Sequence, residues 1–388
     1  MFQILTLNQL SEKGISRFSS DAYQVSDASE NPAAILVRSQ KIQPENIPSS
    51  VLAIARAGAG VNNIPVEACS QKGIPVFNTP GANANAVKEL VLCGLLLASR
   101  DILGGVKYVQ TLDTLDAEAM HKAVEKGKKN FRGQELKGKT LGVIGLGAIG
   151  SLVAETGLSM DMNVVGYDPK LSVDAAWRLP KKVKKMENVA TLLAQSDYVS
   201  LHLPVLESTR NLINKESIKA LKHGASILNF ARDGIVELSA MVDALQSGHV
   251  SKYISDFPHP SLLQEENSIL IPHLGASTSE SEENCAIMAA NQIIDFLEHG
   301  NIKNSVNFPV CSLERTEGHR IAVVNQNNPS VLGHLLSIIA DHGINVIDLL
   351  NKSRDSIAYN LIDLDTSPSS ELRKELEGVD GVLTVRMI

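Results

Sequence analysis

The chain is poor in cysteine, in aromatic residues and in positive charge, and it has no long hydrophobic run. Its four cysteines (Cys69, Cys93, Cys285 and Cys311) show no paired short spacing, so no disulfide framework or zinc knuckle is implied. They read as buried thiols in a reducing, cytoplasmic setting, and no metal site is expected. The longest apolar run, near Leu90–Ala98, is far short of the roughly 20 residues that span a bilayer. The opening Met1-Phe2-Gln3-Ile4-Leu5-Thr6 lacks the basic start and cleavage site of a signal peptide and reads as a strand. With 36 Lys+Arg against 43 Asp+Glu, the formal net charge of -7 gives no global attraction to nucleic acid or anionic lipid. An anionic ligand must then be held locally, by arginines or backbone N–H groups. Aromatics are 4% of the 388 residues, but apolar residues reach 44%, ample for packed cores and against disorder. At roughly 100–200 residues per domain, about two or three domains are expected.

What is present is alternation. In the first hundred residues, strand-like runs at Ala33–Val37, Val51–Ala55 and Pro75–Phe77 each end in a Gly- or Asn-rich turn, which predicts parallel α/β architecture. A long apolar helix is expected from Asn85 to Arg100. A polar, basic stretch from Asp113 to Lys139 follows and reads as solvated surface. From Thr140 the alternation restarts, with strands expected at Leu141–Ile144, Asn163–Tyr167, Tyr198–Leu201, Ser226–Asn229 and Tyr253–Asp256, and a long helix at Ser279–His299. The Lys181–Lys185 cluster reads as a solvated face. Gly300–Gly318 has little periodicity and reads as a linker. The remainder reads β-α-β-β-α-β, a ferredoxin-like unit without a catalytic constellation. The expected division is a discontinuous domain of residues 1–96 and 275–305, a second of 97–274, and a tail unit of 317–388.

Gly145-Leu146-Gly147-Ala148-Ile149-Gly150 follows an apolar strand and opens a helix, and the next strand ends in Asp168, 18 residues beyond Gly150. This is the full context of a dinucleotide-binding unit: glycines for the tight turn and close backbone approach, helix N–H groups for pyrophosphate, a carboxylate for the ribose hydroxyls. Asp168 would repel a 2′-phosphate, which favours NAD over NADP. Asn229-Phe230-Ala231-Arg232 sits at a strand's carboxyl end, where an arginine offers a fork to a carboxylate; pairing with Asp233 is the plainer reading. Pro272-His273-Leu274-Gly275-Ala276-Ser277-Thr278 places a histidine able to take a hydroxyl proton between strand and helix, although a lone histidine is more often structural. Arg56-Ala57-Gly58-Ala59-Gly60 resembles an anion-holding turn, and Arg38, at the end of another strand, could join Arg56 on a phosphate or be a surface charge.

Together these segments, with Asn78-Thr79-Pro80, resemble the D-isomer-specific 2-hydroxyacid dehydrogenases, and within them the branch that oxidises 3-phosphoglycerate. The resemblance covers essentially the whole chain. It implies two Rossmann-like doubly wound domains and a C-terminal ferredoxin-like ACT domain. It further implies NAD as cofactor, entry into serine biosynthesis, and a homodimer or homotetramer, the stretch from Asn85 to Lys139 wrapping a neighbouring subunit. Arg232 would bind the substrate carboxylate and His273 would be the acid/base. Thr79, Gly145, Gly147, Ala148, Ile149, Gly150, Asp168, Leu203, Phe230, Ala231, Arg232, Asp256, His273, Gly275 and Ala276 would line the cofactor. Arg38, Arg56, Ala57, Gly58, Arg232 and His273 would hold a phosphorylated hydroxy acid. Asn325, Asn327 and Asn345 would hold an amino-acid effector such as serine between paired tail units, although Asn325 stands where serine-binding relatives often carry His.

One departure stands out. The family carries a Glu, in a D-V-F-x-x-E-P-like stretch, that pairs with the catalytic His. Here the stretch reads Asp256-Phe257-Pro258-His259-Pro260, and the Glu is replaced by His259 or deleted. Glu265, Glu266 and Glu282 are candidate substitutes. Two other readings compete: the same chemistry on another small acid such as hydroxypyruvate or glyoxylate, and a non-enzymatic NAD-sensing protein on the same scaffold.

Overall fold

A computed structural model of the chain describes residues 1–113 and 115–388. It divides into two compact units, Met1–Asn83 with Ser279–Ile388, and Ala84–Thr278. These bounds fall at 83/84 and 278/279, where the sequence reading placed them at 96/97 and 274/275, and the tail falls within the first unit.

The first unit holds a parallel sheet of β1 (Phe2–Leu7), β2 (Tyr23–Ser26), β3 (Ala34–Val37), β4 (Ala53–Arg56) and β5 (Val76–Phe77), ordered β2-β1-β3-β4-β5. This is the flavodoxin-like doubly wound order. β3 is buried along its whole length, as a central strand covered on both faces must be, so it reads as a continuous apolar run. The 21-residue helix Ser279–His299 returns to this sheet and packs against β3 and β4.

The second unit contains β6 (Thr140–Ile144), β7 (Asn163–Tyr167), β8 (Lys184–Lys185), β9 (Tyr198–Leu201), β10 (Ala225–Asn229), β11 (Val250–Ser255) and β12 (Ser268–Leu270). All pair in parallel, in the order β12-β11-β10-β9-β6-β7-β8, the Rossmann order with one added strand. Two residues of the expected lysine face form the edge strand β8, whose side chains stay exposed. Charge on an edge strand deters pairing with another chain. The helices Ala84–Ser99, Ile102–Gln110 and Ala117–Gly127 precede the sheet; residue 114 of the expected basic stretch lies outside the described residues.

The tail forms β13 (His319–Gln326), β14 (Val346–Arg354), β15 (Ile357–Leu364) and β16 (Val382–Met387), antiparallel and ordered β14-β15-β13-β16. Its helices, Val331–Asp341 and Ser370–Glu377, cover one face, where Ile321, Val323, Ile362 and Leu364 meet Leu335, Ile339, Leu372 and Leu376. The alternate residues Ala322, Val324, Tyr359 and Leu361 point the other way, into one core with Phe77, Phe296 and Phe308. That shared core puts the tail in the first unit. The expected linker is likewise packed: Ile302, Phe308 and Cys311 are buried, and Ile302 bridges Cys311. Its lack of periodicity reflects support from side chains, since Asn307 accepts from the Val76 N–H and donates to the Ile74 carbonyl.

Candidate active site

Each glycine of the Gly145–Gly150 loop answers a different steric demand. Gly145 has φ +90°, and a Cβ there would collide with the His202 carbonyl. A Cβ on Gly150 would strike the Gly145 carbonyl, so this glycine lets the helix Ala148–Ser159 start against the turn. Gly147 is different: a Cβ there meets nothing within 4 Å. The protein does not need a glycine at that position, whereas a ligand lying on the backbone does. Gly147 is also the helix N-cap, and no side chain caps the first turn, so its N–H groups remain available to an anion. Ala148 is exposed beside it and Ile149 is half-buried. Asp168, at the end of β7, accepts from the Leu146 N–H at 2.9 Å and the Lys170 N–H at 2.9 Å, so its carboxylate is tied to the loop. Leu203 lies against Gly145, and the neighbouring His202 is desolvated until its pKa falls to about 3. Its Nε2 pairs with Ser200 Oγ at 2.8 Å, while Nδ1 is buried without a partner among the described residues. The sequence reading assigned His202 no role.

At the carboxyl ends of β10 and β11 the same unit gathers a second set. Asn229 is fully buried; its Nδ2 donates to the Arg232 carbonyl at 2.9 Å and its Oδ1 accepts from the Ala231 N–H at 3.2 Å. Asn229 therefore shapes the turn that presents Arg232, the reason this turn needs an Asn and a role the motif alone did not disclose. Arg232 is exposed, donates from Nη1 to the Ala231 carbonyl, and forms no ion pair with Asp233 among the described residues. Phe230 and Ala231 are buried in the cores on either side, so only their backbone can meet a ligand.

Asp256 is 1% exposed. Its Oδ2 accepts from the Gly275 N–H at 3.0 Å, while Oδ1 is buried with no partner among the described residues. Burial pushes its pKa up, against the opposing pull of the Gly275 N–H, His273 and Arg232. An orphaned, desolvated acceptor at a strand end fits the carboxamide N–H of a nicotinamide. His273 has φ +47°, its N–H donates to the Asp256 carbonyl at 3.0 Å, and its ring sits on Phe257 with centroids 4.9 Å apart. A left-handed histidine is a strained residue, which ties the ring's direction to this turn. Ala276 is exposed next to it.

None of the proposed substitutes for the family's Glu hydrogen-bonds the His273 ring among the described residues. His259 caps the turn Pro260–Leu262, with Nδ1 at 2.9 Å from Ser261 Oγ. Glu265 accepts from Gln246 at 2.8 Å, Glu266 is exposed, and Glu282, in the other unit, pairs with Arg38.

In the first unit, Arg38, Arg56-Ala57-Gly58 and Thr79 lie at the carboxyl ends of β3, β4 and β5, Arg56 being the last residue of β4. The Arg56 Nε donates to the Arg38 carbonyl at 2.9 Å and Nη1 donates to the Gly60 carbonyl, so this guanidinium braces its own turn. Thr79 is fully buried, and its N–H donates to the Gly58 carbonyl at 3.1 Å. In the tail, Asn325 is buried and spent: its Oδ1 accepts from Asn360 at 2.7 Å and its Nδ2 donates to the Gln326 carbonyl. Asn327 and Asn345 flank opposite ends of the β13–β15 ladder, so one ligand meets both only across two copies.

The family model for the NAD-binding domain of D-isomer specific 2-hydroxyacid dehydrogenases matches residues 106–275. The D-3-phosphoglycerate dehydrogenase of Haemophilus influenzae is 34% identical over 85% of this chain and 79% of its own length. The chain belongs to the D-isomer-specific 2-hydroxyacid dehydrogenase family. The Escherichia coli K12 D-3-phosphoglycerate dehydrogenase is 31% identical over 88% of this dehydrogenase and 83% of its own length. Among solved structures, an NAD+-bound 3-phosphoglycerate dehydrogenase of Entamoeba histolytica matches at TM-score 0.60 and 28% identity, covering 79% of this chain and all but 2% of that one (98%). A glyoxylate reductase of Paecilomyes thermophila matches at TM-score 0.63 and 26% identity, over 79% and 98%. The dehydrogenase uses NAD, and the Gly147 cradle and the Asp256 acceptor are features of its own chain that fit that cofactor.

Proposed function

We propose that this dehydrogenase oxidises the C2 hydroxyl of 3-phospho-D-glycerate to 3-phosphohydroxypyruvate, the first step of L-serine biosynthesis. The observation that carries the reading is the likeness to phosphoglycerate dehydrogenases along nearly the whole chain, 31% to 34% identical over 85% to 88% of it. The gathering of Arg232, Asp256 and His273 at one sheet edge supports it.

In this reading Arg232 binds the carboxylate by its fork and polarises the neighbouring oxygen. His273 takes the hydroxyl proton, and Asp256 Oδ1 accepts an amide proton that orients the nicotinamide. NAD supplies the hydride acceptor. Asp168 selects the ribose hydroxyls, and Arg38 exchanges Glu282 for the substrate phosphate, beside Arg56. The deciding measurement is NADH formation at alkaline pH with 3-phosphoglycerate and with glycerate. Activity on the phosphate ester that Arg38→Ala with Arg56→Ala removes supports the reading. Equal rates on both acids, or NADH consumption with glyoxylate faster than NADH formation with 3-phosphoglycerate, refute it.

The reading extends to assembly as a homodimer or homotetramer. The helix Ile102–Gln110 leaves Ile102, Leu103, Val106 and Val109 between 44% and 50% exposed on one stripe, an apolar face suited to a second copy. It also includes an amino-acid effector, serine, held by Asn327 of one copy and Asn345 of another. Heat on titrating serine into the intact protein, lost in Asn345→Ala, is the expected result.

A further inference from the structure

We propose that the cavity between the back of the tail sheet and the first domain is a binding site for a small carboxylate with an apolar body. The cavity, of about 360 Å³, lies within the first unit. Its walls are largely hydrocarbon: Val51, Ile74 and Phe296 from the domain side, Ala322, Val324 and the Tyr359 ring from the tail. An engineered apolar cavity of about 150 Å³ already takes up benzene, so this space admits a ring or a branched chain.

One end of the wall is cationic. The Arg386 guanidinium reaches in from β16, 4.4 Å from the centroid of the Phe296 ring. Nη1 and Nη2 donate at 3.3 Å and 3.0 Å to the carbonyls of Phe296 and Leu297, in the last turn of the helix Ser279–His299. The negative end of a helix dipole offsets only part of a full charge. Among the described residues no carboxylate lies within 4.0 Å of Arg386, and its Nε has no hydrogen-bond partner. Burial accordingly pulls its pKa below the ordinary arginine value. The contrast is Arg320 in the same sheet, which is fully buried and saturated by Asp363 and three carbonyls, whereas Arg386 is half-buried and holds two carbonyls. Lys72 adds a second cation to the lining, and exposed Ser49 lies at its rim. Hydrocarbon walls ending in a half-buried guanidinium with no acid beside it select a carboxylate on an apolar body. Such a ligand touches both the tail sheet and the first domain, so it ties the two together.

The test is calorimetric titration of the full chain with benzoate and with its neutral isostere benzamide. Benzoate is expected to bind, with benzamide at least about tenfold weaker, the difference one charge-assisted contact makes. Arg386→Met is expected to weaken benzoate by about 10- to 100-fold. Because that change also removes two hydrogen bonds to the helix end, Ser49→Trp, which blocks the rim and leaves Arg386 in place, is titrated beside it and is expected to lose binding as well. Absence of benzoate binding to the wild-type chain overturns the proposal. So does benzamide binding as tightly as benzoate, or benzoate binding that Ser49→Trp leaves unchanged. Binding lost in Arg232→Ala but kept in both cavity variants places benzoate in the active site and also overturns it.

Discussion

Two glycines, the third and sixth residues of the phosphate loop, separate folding from binding. Gly147→Ala puts its methyl into open space at an ordinary backbone conformation (φ -69°), so the melting temperature should stay within a degree or two. The same methyl stands where the pyrophosphate approaches, and NAD affinity should fall by about tenfold or more, read by fluorescence titration. Gly150→Ala does the reverse: the collision with the Gly145 carbonyl should destabilise the domain by about 1–3 kcal/mol, read by chemical unfolding. For the proposed base, His273→Gln should lower kcat by about 10²–10⁴-fold with little change in NAD affinity. His259→Ala should change kcat far less, because His259 is engaged in capping its own turn. Equal losses in the two variants would return His259 to the reaction.

Among the elements, a charged knot anchors the tail. Arg320 on β13 holds Asp363 on β15 through two bonds of 2.6 Å and 2.8 Å, and its remaining N–H groups reach the carbonyls of His299, Leu313 and Glu314. Helix end, linker and sheet thus meet at one guanidinium. Asp363→Asn should cost about 3–5 kcal/mol, since it leaves that cation buried without its acid. Burial by itself would raise the Asp363 pKa, but bonds from Arg320 and Thr316 outweigh it and hold the group below the usual carboxylate range. A lowered folded-state pKa gives stability that is present above the unfolded value, about 3.9, and lost as pH falls through the folded one. The gap between wild type and Asp363→Asn should therefore be full at pH 7 and close below about pH 4 in pH-stepped denaturant melts.

At the scale of the whole molecule, the tail is part of a core and not an appendage. Ending the chain near Arg315 removes Ala322, Val324, Tyr359 and Leu361 from contact with Phe77, Phe296 and Phe308. Such a truncated chain should melt well below the intact protein and aggregate, as light scattering during a thermal ramp would show. Assembly is tested separately. Val106→Glu places a charge on the exposed stripe of the helix Ile102–Gln110 without touching a core, so it should shift a sedimenting dimer or tetramer toward monomer. An unchanged sedimentation coefficient would move the interface elsewhere.

Much of this protein is legible in its residues because the signals are local. Apolar runs mark β7 and β9 to the residue and β6 to within one, and the helix Ser279–His299 lies where its pattern places it, since a strand or helix needs only its own periodicity. The G-x-G-x-x-G loop and its aspartate are likewise written within one β-α-β unit. The tertiary structure decided everything that depends on residues far apart in the chain. The apolar face that packs the tail against Phe77 and Phe296 looks the same in sequence as one left for a partner. Lys184–Lys185 becomes a strand only because β7 offers it an edge. Asn325 loses its amide to Asn360, 35 residues away, and Asp256 and Asn229 acquire their roles from what burial denies or grants them. Desolvation and hydrogen-bond satisfaction are properties of the folded neighbourhood, and no spacing along the chain encodes them.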